Sequence, residues 1–286
     1  MNKLIITGVT GFIGSRFYEY VQQKHFPCIG ISRGNKNIQY ERVNYYDEVI
    51  NYDSGHENII HLAGSNNSQS IINIEDEHQI IKKLSHHFKN RLVYISSSKV
   101  YSNKLTKPIL ESGPTLSNNK YNKLKLLCEN DVISNGGMVL RVSSVYGKGM
   151  SRDNVFNYIS RQILEKKILI NLKRPDDISD FININDLCNA LYLACNNPIP
   201  GIFNIGSSKG ITIRNLCQLI GLEYGLNNLQ IQEPTMTYQS SKIVLNCDLF
   251  NKHYKWKTLV SLELGIREWL KNTSMNYIKK HKHKVI

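Results

Sequence analysis

A short apolar run followed at once by three evenly spaced glycines is the N-terminal feature that most restricts the fold. Glycine permits positive φ angles and close backbone approach to an anion, and the amino end of a helix binds phosphate groups. A strand turning here into a helix predicts a site for the pyrophosphate of a dinucleotide, with a purely structural turn as the alternative. The residues predicted to contact this ligand are Gly8, Gly11, Phe12, Ile13 and Gly14.

Strands alternate with helices through the first half of the chain. The runs that predict strands are Lys3–Thr7, Cys28–Ser32, Asn58–Leu62, Arg91–Ser96 and Gly137–Val142. The helical patterns between them cover Ile13–Lys24, Ile71–Phe88 and Lys120–Ser134. This alternation predicts an α/β fold with a Rossmann-like core, in which helices cover both faces of a doubly wound parallel sheet.

The second half is less regular and predicts a smaller, mixed α/β lobe. Its predicted helices are Asn154–Lys166, Asn185–Asn196, Ile213–Gly221 and Ser261–Asn272. Its predicted strands are Lys167–Ile170, Ile202–Ile205 and Asn228–Gln232. We therefore expect a dinucleotide-binding domain over residues 1–150 and a substrate lobe over residues 151–286, partly interleaved with the core.

The net charge of +13, from 36 Lys and Arg against 23 Asp and Glu, invites the prediction of a nucleic-acid partner. Four of the lysines, however, stand close to the C-terminus, at Lys279, Lys280, Lys282 and Lys284. The remaining excess is spread thinly, so an anionic small molecule is favoured over nucleic acid as the partner. No apolar run approaches the roughly 18 residues of a membrane span, which predicts a soluble protein without a membrane partner.

The cysteines give no sign of a metal site or of a disulfide framework. The six residues form no CxxC pair and have no zinc-ligand spacing with histidine. Most lie in apolar runs, where a reduced cysteine packs as a small apolar side chain. This usage predicts buried thiols in a cytoplasmic protein that binds no metal.

The end of the second predicted strand indicates which dinucleotide is bound. An acidic residue at this place binds the adenosine ribose of NAD, whereas an arginine accommodates the 2′-phosphate of NADP. The chain carries Ser32 and Arg33 where the acidic residue is expected. We therefore predict NADP as the cofactor and keep NAD as the alternative.

Two later segments carry groups suited to acid–base catalysis. Ser97 ends a predicted parallel strand, at the edge where open α/β sheets bind ligands. Tyr121 and Lys125 lie four residues apart, so a helix projects them from one face. A phenol titrates near about pH 10, and a neighbouring ammonium favours the phenolate and lowers the phenol's pKa. The three residues therefore predict a site that exchanges a proton with a bound oxygen.

In combination, these segments resemble the extended short-chain dehydrogenase/reductase family, the NAD(P)-dependent epimerases and dehydratases of nucleotide sugars. The likeness covers nearly the whole chain. Besides the glycine turn, spaced GxxGxxG, and the Tyr–Lys helix, it rests on Ile59–Gly64, Leu140–Gly147, Ser179–Asp186 and Ile202–Ser208. The resemblance implies that Leu62 and Ala63 run past the cofactor and that Ser97, Tyr121 and Lys125 are catalytic. It further implies that Tyr121 and Lys125 contact the cofactor.

Departures from the family's motifs reduce the number of reactions that we expect of this chain. Ser98 and Lys99 follow Ser97 where the family's 4,6-dehydratases carry two acids, which argues against dehydration. Ser144 and Ser179 replace an asparagine and an arginine that often touch the nucleotide diphosphate in relatives.

The resemblance, the short chain and Arg33 together favour one reaction. We expect an NAD(P)H-dependent reductase of a nucleotide-linked 4-keto-6-deoxyhexose, acting in the synthesis of deoxysugar or polysaccharide precursors. The alternative is a nucleotide-sugar 4-epimerase with tightly bound NAD, which would use the same catalytic residues. A non-catalytic cofactor-sensing or RNA-binding relative is the third hypothesis. Relatives often pair through the helix that carries the tyrosine, which implies a homodimer.

Overall fold

The computed structural model describes residues 3–33, 40–44, 46–64, 74–102, 107–166, 169–235 and 237–281. Its strands are β1 (Leu4–Thr7), β2 (Cys28–Ser32), β3 (Glu41–Arg42), β4 (Asn58–His61), β5 (Leu92–Ser97), β6 (Met138–Val142), β7 (Ser144–Tyr146), β8 (Leu169–Asn171), β9 (Ile178–Asn183), β10 (Gly201–Ile205), β11 (Gly210–Thr212), β12 (Gln230–Gln232) and β13 (Lys242–Ile243). Its α-helices are α1 (Phe12–Gln23), α2 (Ile74–Phe88), α3 (Lys120–Ser134), α4 (Val155–Leu164), α5 (Ile184–Asn196), α6 (Ile213–Glu223), α7 (Asp248–Tyr254) and α8 (Leu262–His281).

Seven parallel strands form the main sheet, in the order β10-β6-β5-β4-β1-β2-β3. The chain reverses its direction of travel across the sheet at β1, which lies between β2 and β4. Open α/β sheets bind ligands at such a switch point, beyond the carboxyl ends of the strands. The predicted Rossmann-like, doubly wound architecture is confirmed, and it places the ends of β1, β4 and β5 at one edge.

The two faces of the main sheet are covered by different helices. Successive side chains of a strand point to opposite faces, and β1 shows the consequence. Leu4 and Ile6 pack in the cluster that holds the apolar residues of α1 and α5. Ile5 packs in the cluster formed with α2 and α3. Burial of each such side chain is worth about 1.5–3 kcal/mol, so the central strand is fixed from both sides.

A smaller sheet is built around β9, with β11 antiparallel to it and both β7 and β13 parallel to it. Helices α4, α6 and α8 contribute a separate apolar cluster that includes Phe156, Leu216 and Trp269. Strand β10 nevertheless belongs to the main sheet, although it lies in the sequence between β9 and β11. The chain therefore returns to the main sheet after building part of the smaller one.

The helices of the described part of the chain include none with the length and apolar character needed to cross a membrane.

Candidate active site

The glycine turn joins β1 to α1 at the predicted place. Gly8 has φ +71°, and a Cβ atom there would lie 2.6 Å from the backbone nitrogen of Ala63. A Cβ on Gly14 would overlap the carbonyl oxygen of Gly8. The Gly11 amide donates to that same oxygen at 2.9 Å. Glycine is therefore required where this turn packs against the segment after β4.

The first turn of α1 differs from those of four other helices. An Asn or Thr side chain caps α3, α4, α5 and α6 by accepting a hydrogen bond from a backbone amide. The cap of α1 is Gly11, which has no side chain to do so. The amides of a helix's first turn have no partner inside the helix, and their dipoles favour an anion. The turn that carries Phe12 and Ile13 thus fits the pyrophosphate of a dinucleotide.

Ser32 and Arg33 lie beside this turn, at the end of β2. The hydroxyl oxygen of Ser32 is 3.4 Å from that of Thr10. The guanidinium of Arg33 lies 4.8 Å from the ring centroid of Tyr46, whose pKa is raised by burial. Arg42 of β3 is the in-register partner of Ser32, so a second arginine lies next to the end of β2. Sequence reasoning missed Arg42, because its two-residue strand has no apolar pattern.

The segment Leu62–Ala63 follows β4, directly against the glycine turn. His61 Nδ1 lies 3.0 Å from the hydroxyl oxygen of Thr7, and that oxygen accepts a hydrogen bond from the Leu62 amide at 3.2 Å. Burial lowers the pKa of His61 to about 3. His61 is therefore a neutral packing residue that fixes the end of β4, and its imidazole carries no charge at neutral pH.

Tyr121 and Lys125 lie one turn apart on α3, as the spacing predicts. The Lys125 ammonium nitrogen is 5.9 Å from the centroid of the Tyr121 ring. It donates hydrogen bonds to the Tyr94 hydroxyl at 3.0 Å and to the Ile95 carbonyl oxygen at 3.3 Å. Because both acceptors belong to β5, Lys125 fixes α3 to the carboxyl end of that strand.

Ser97 is the last residue of β5, two residues beyond that carbonyl. Its hydroxyl oxygen accepts a hydrogen bond from the Lys99 amide at 3.2 Å, which starts the 3₁₀ turn Ser98–Val100. With this lone pair occupied, the hydroxyl proton is left to donate to a bound oxygen. Ser97 and Tyr121 are both partly exposed, whereas Lys125 is buried.

A buried ion pair lies beside the carboxyl end of β5, and the sequence analysis did not identify it. Arg141 of β6 donates to both carboxylate oxygens of Glu129 on α3, with the shortest distance 2.6 Å. Glu129 also accepts a hydrogen bond from the Ser96 hydroxyl. The Arg141 guanidinium lies 4.7 Å from the ring centroid of Tyr101. The sequence did offer a signal, since a charged residue inside a buried strand requires a partner.

The motifs of the smaller sheet are joined by one buried carboxylate. Asp180 of β9 accepts hydrogen bonds from the backbone amides of Ser207 and Ser208, at 2.8 and 3.1 Å. Burial raises its pKa.

Ser144 and Ser179, which depart from the family's pattern, lie on β7 and β9. The cations Arg174 and Arg214 of the same lobe are held in ion pairs with carboxylates.

The sheet order and the glycine turn define a Rossmann-like fold of the short-chain dehydrogenase/reductase class. Residues 4–206 match the model of the NAD dependent epimerase/dehydratase family. The chain therefore belongs to the NAD-dependent epimerase/dehydratase family. The resemblance inferred from the sequence motifs is confirmed.

Individual relatives have low sequence identity to this chain, but their alignments cover most of both chains. The dTDP-4-dehydro-6-deoxyglucose reductase of Escherichia coli is 24% identical, over 95% of this chain and 97% of its own length. The UDP-glucose 4-epimerase of Halalkalibacterium halodurans is 22% identical, over 76% of this chain and 78% of its own. The structure of RMD from Pseudomonas aeruginosa complexed with NADPH has a TM-score of 0.81 at 19% identity, covering 96% of this chain and 100% of that one. At this sequence identity, the similarity between the RMD structure and this chain shows that the two proteins share a fold.

Proposed function

We propose that the protein is an NAD(P)H-dependent reductase of a nucleotide-linked 4-keto-6-deoxyhexose. The observation that carries the proposal is the reductase relative, which aligns with almost the full length of both chains. The alignment thus includes the smaller lobe as well as the dinucleotide-binding part. The proposal also uses Ser97 at the end of β5 and the Tyr121–Lys125 pair of α3, which are side chains suited to such a reduction.

The proposed mechanism assigns a separate task to each of these side chains. When bound, a reduced nicotinamide cofactor supplies the hydride that the carbonyl carbon accepts. Tyr121 donates its phenolic proton to the alkoxide that develops on the sugar oxygen. Ser97 donates a hydrogen bond to the same oxygen and orients it. Lys125, fixed to β5, stabilises the phenolate that Tyr121 becomes and would hold the ribose of a bound nicotinamide cofactor.

The residues that would hold the cofactor follow the path from α1 to α3. The turn of Gly8, Gly11 and Gly14 would bind the pyrophosphate, and Leu62 and Ala63 would line the ribose–nicotinamide path. Arg33 would contact a 2′-phosphate, which supports NADPH as the preferred form.

The test of the function is the oxidation of NADPH by the purified protein on addition of a dTDP-linked 4-keto-6-deoxyhexose. A fall in NADPH absorbance that requires the sugar nucleotide, with formation of the corresponding 4-hydroxy sugar, is the expected result. The same reaction with the unlinked sugar is the control, since the nucleotide contributes binding. Absence of turnover with dTDP-, UDP- and CDP-linked 4-keto sugars would contradict the proposal.

A nucleotide-sugar 4-epimerase is the second candidate, and the epimerase relative favours it. An epimerase must retain its cofactor, because hydride is removed from the sugar and then returned to it. Freshly purified protein would then carry NAD through gel filtration and would interconvert UDP-glucose and UDP-galactose without added cofactor. A cofactor-free preparation that needs NADPH for turnover excludes this candidate.

Arg33→Ala is expected to raise the KM for NADPH by about 10- to 100-fold, because a charged hydrogen bond to the 2′-phosphate is lost. The KM for NADH, which lacks that phosphate, is expected to change little and serves as the internal control. Steady-state kinetics with both cofactors measure the two values. An equal loss with both cofactors would mean that Arg33 does not contact the 2′-phosphate.

A further inference from the structure

A buried acidic residue of helix α2 lies next to the Lys125 ammonium. Glu77 of α2 has a side chain only 7% exposed, and its Oε1 atom is 3.7 Å from the Lys125 ammonium nitrogen. A Cβ atom built on Gly64 would lie 3.2 Å from this carboxylate oxygen and 3.7 Å from the ammonium nitrogen. The ion pair therefore packs against the segment that follows β4.

Other titratable groups surround the Lys125 ammonium, and burial keeps them neutral at neutral pH. Burial raises the pKa of Tyr94, on β5, well above its usual value and raises that of Cys128, on α3, to about 12. Burial likewise lowers the pKa of His61, on β4, to about 3. Tyr121 is the remaining titratable group beside Lys125. Among the described residues that face Lys125, Glu77 is therefore the charged partner.

The charge of Glu77 has a direct consequence for the tyrosine. A buried ammonium without a carboxylate loses part of the stabilisation that keeps it protonated. The carboxylate beside the ammonium also cancels part of the field that the ammonium exerts on the phenol. Removing the carboxylate therefore favours proton loss from both Lys125 and Tyr121. While Lys125 stays protonated, the phenol of Tyr121 then loses its proton at a lower pH, and reduction, which needs the protonated phenol, falls at a lower pH as well.

We propose that Glu77 is a positioning residue, which holds the Lys125 ammonium and sets the pH above which Tyr121 ceases to act as a proton donor. The proposal rests on the proposed function, in which Tyr121 donates the proton. It assigns a role to a helix, α2, that carries none of the residues identified from the motifs.

The first test needs neither cofactor nor substrate. The chain has 16 tyrosines, so the ionisation of Tyr121 is isolated as the ultraviolet difference between the protein and its Tyr121→Phe variant during a pH titration. In a Glu77→Gln background, this phenolate signal is expected to develop about one pH unit lower than in the native background. Glu77→Met, similar in volume and also uncharged, has the same expected shift and replaces the glutamine variant where that one does not fold.

The second test follows kcat for the reduction as a function of pH. The alkaline fall in activity is expected about one pH unit lower in Glu77→Gln than in the native protein. Glu77→Asp keeps the charge and is expected to restore most of the native profile. A phenolate shift without any turnover of 4-keto sugars would support the role of Glu77 and contradict the proposed function alone.

Asp131→Asn is the matched control, because His78 and Asp131 form a second link between α2 and α3, at 2.7 Å. Their side chains are 25% and 27% exposed, and neither is paired with Lys125. This variant is expected to leave both the phenolate signal and the pH profile in place. Unchanged titrations in the folded Glu77→Gln and Glu77→Met proteins would overturn the proposal.

Discussion

Replacing Tyr121 with phenylalanine is expected to lower kcat for the reduction by about 10²- to 10⁴-fold, the usual contribution of a positioned acid. In the proposed mechanism this phenol protonates the sugar oxygen, and its hydroxyl forms no hydrogen bond with any of the described residues. The fold should therefore lose nothing, and cofactor affinity should stay close to native. Single-turnover measurements with bound NADPH separate the chemical step from binding.

Tyr20→Phe provides the matched control for this prediction. Its hydroxyl accepts a hydrogen bond from Asn189 at 3.0 Å, on the face of the sheet that is covered by α1 and α5. The variant removes one tyrosine hydroxyl without touching α3 or the end of β5, so near-native kcat is expected. Full turnover by the Tyr121→Phe protein would contradict the assignment of the whole catalytic group.

The main sheet could be predicted because its strands are buried on both faces and are therefore continuous apolar runs. The predicted Asn58–Leu62 becomes β4 at Asn58–His61 and the predicted Cys28–Ser32 is β2 itself. Strand β9 gives no such pattern, and no strand was predicted there. Its buried Asp180 accepts hydrogen bonds from backbone amides that are distant in the sequence, those of Ser207, Ser208 and Leu245. A local pattern carries no information about such a contact.

The same contrast between local patterns and distant contacts applies to the site residues. It separates those that the sequence predicted from those that only the structure showed. Gly8 and the Tyr121–Lys125 pair follow from local geometry, namely a tight turn and one helical turn. Glu77 and Glu129 are defined by side chains from other elements, so their sequence neighbours do not reveal them. Both are acids that the fold buries next to a cation. The topology was needed to bring them to the end of β5.

The second large effect is expected at Glu129. Its side chain is 3% exposed and that of Arg141 is 5% exposed, so the pair is almost removed from water. Glu129→Gln leaves the guanidinium buried without a compensating charge. Breaking a buried pair in this way typically costs about 3–5 kcal/mol, and we expect the free energy of unfolding to fall by that amount. Urea unfolding followed by circular dichroism measures it.

Two comparisons separate the unpaired charge from other causes. The double variant Glu129→Leu with Arg141→Met removes both charges, and replacing a buried pair by apolar groups is often close to neutral. It is therefore expected to be more stable than Glu129→Gln. Glu233→Gln breaks the exposed pair with Arg214, 2.7 Å in length, and no measurable change is expected because solvent screens it. If the double variant is less stable than Glu129→Gln, the hydrogen bonds and packing of Arg141, including its contact with Tyr101, outweigh the cost of its charge.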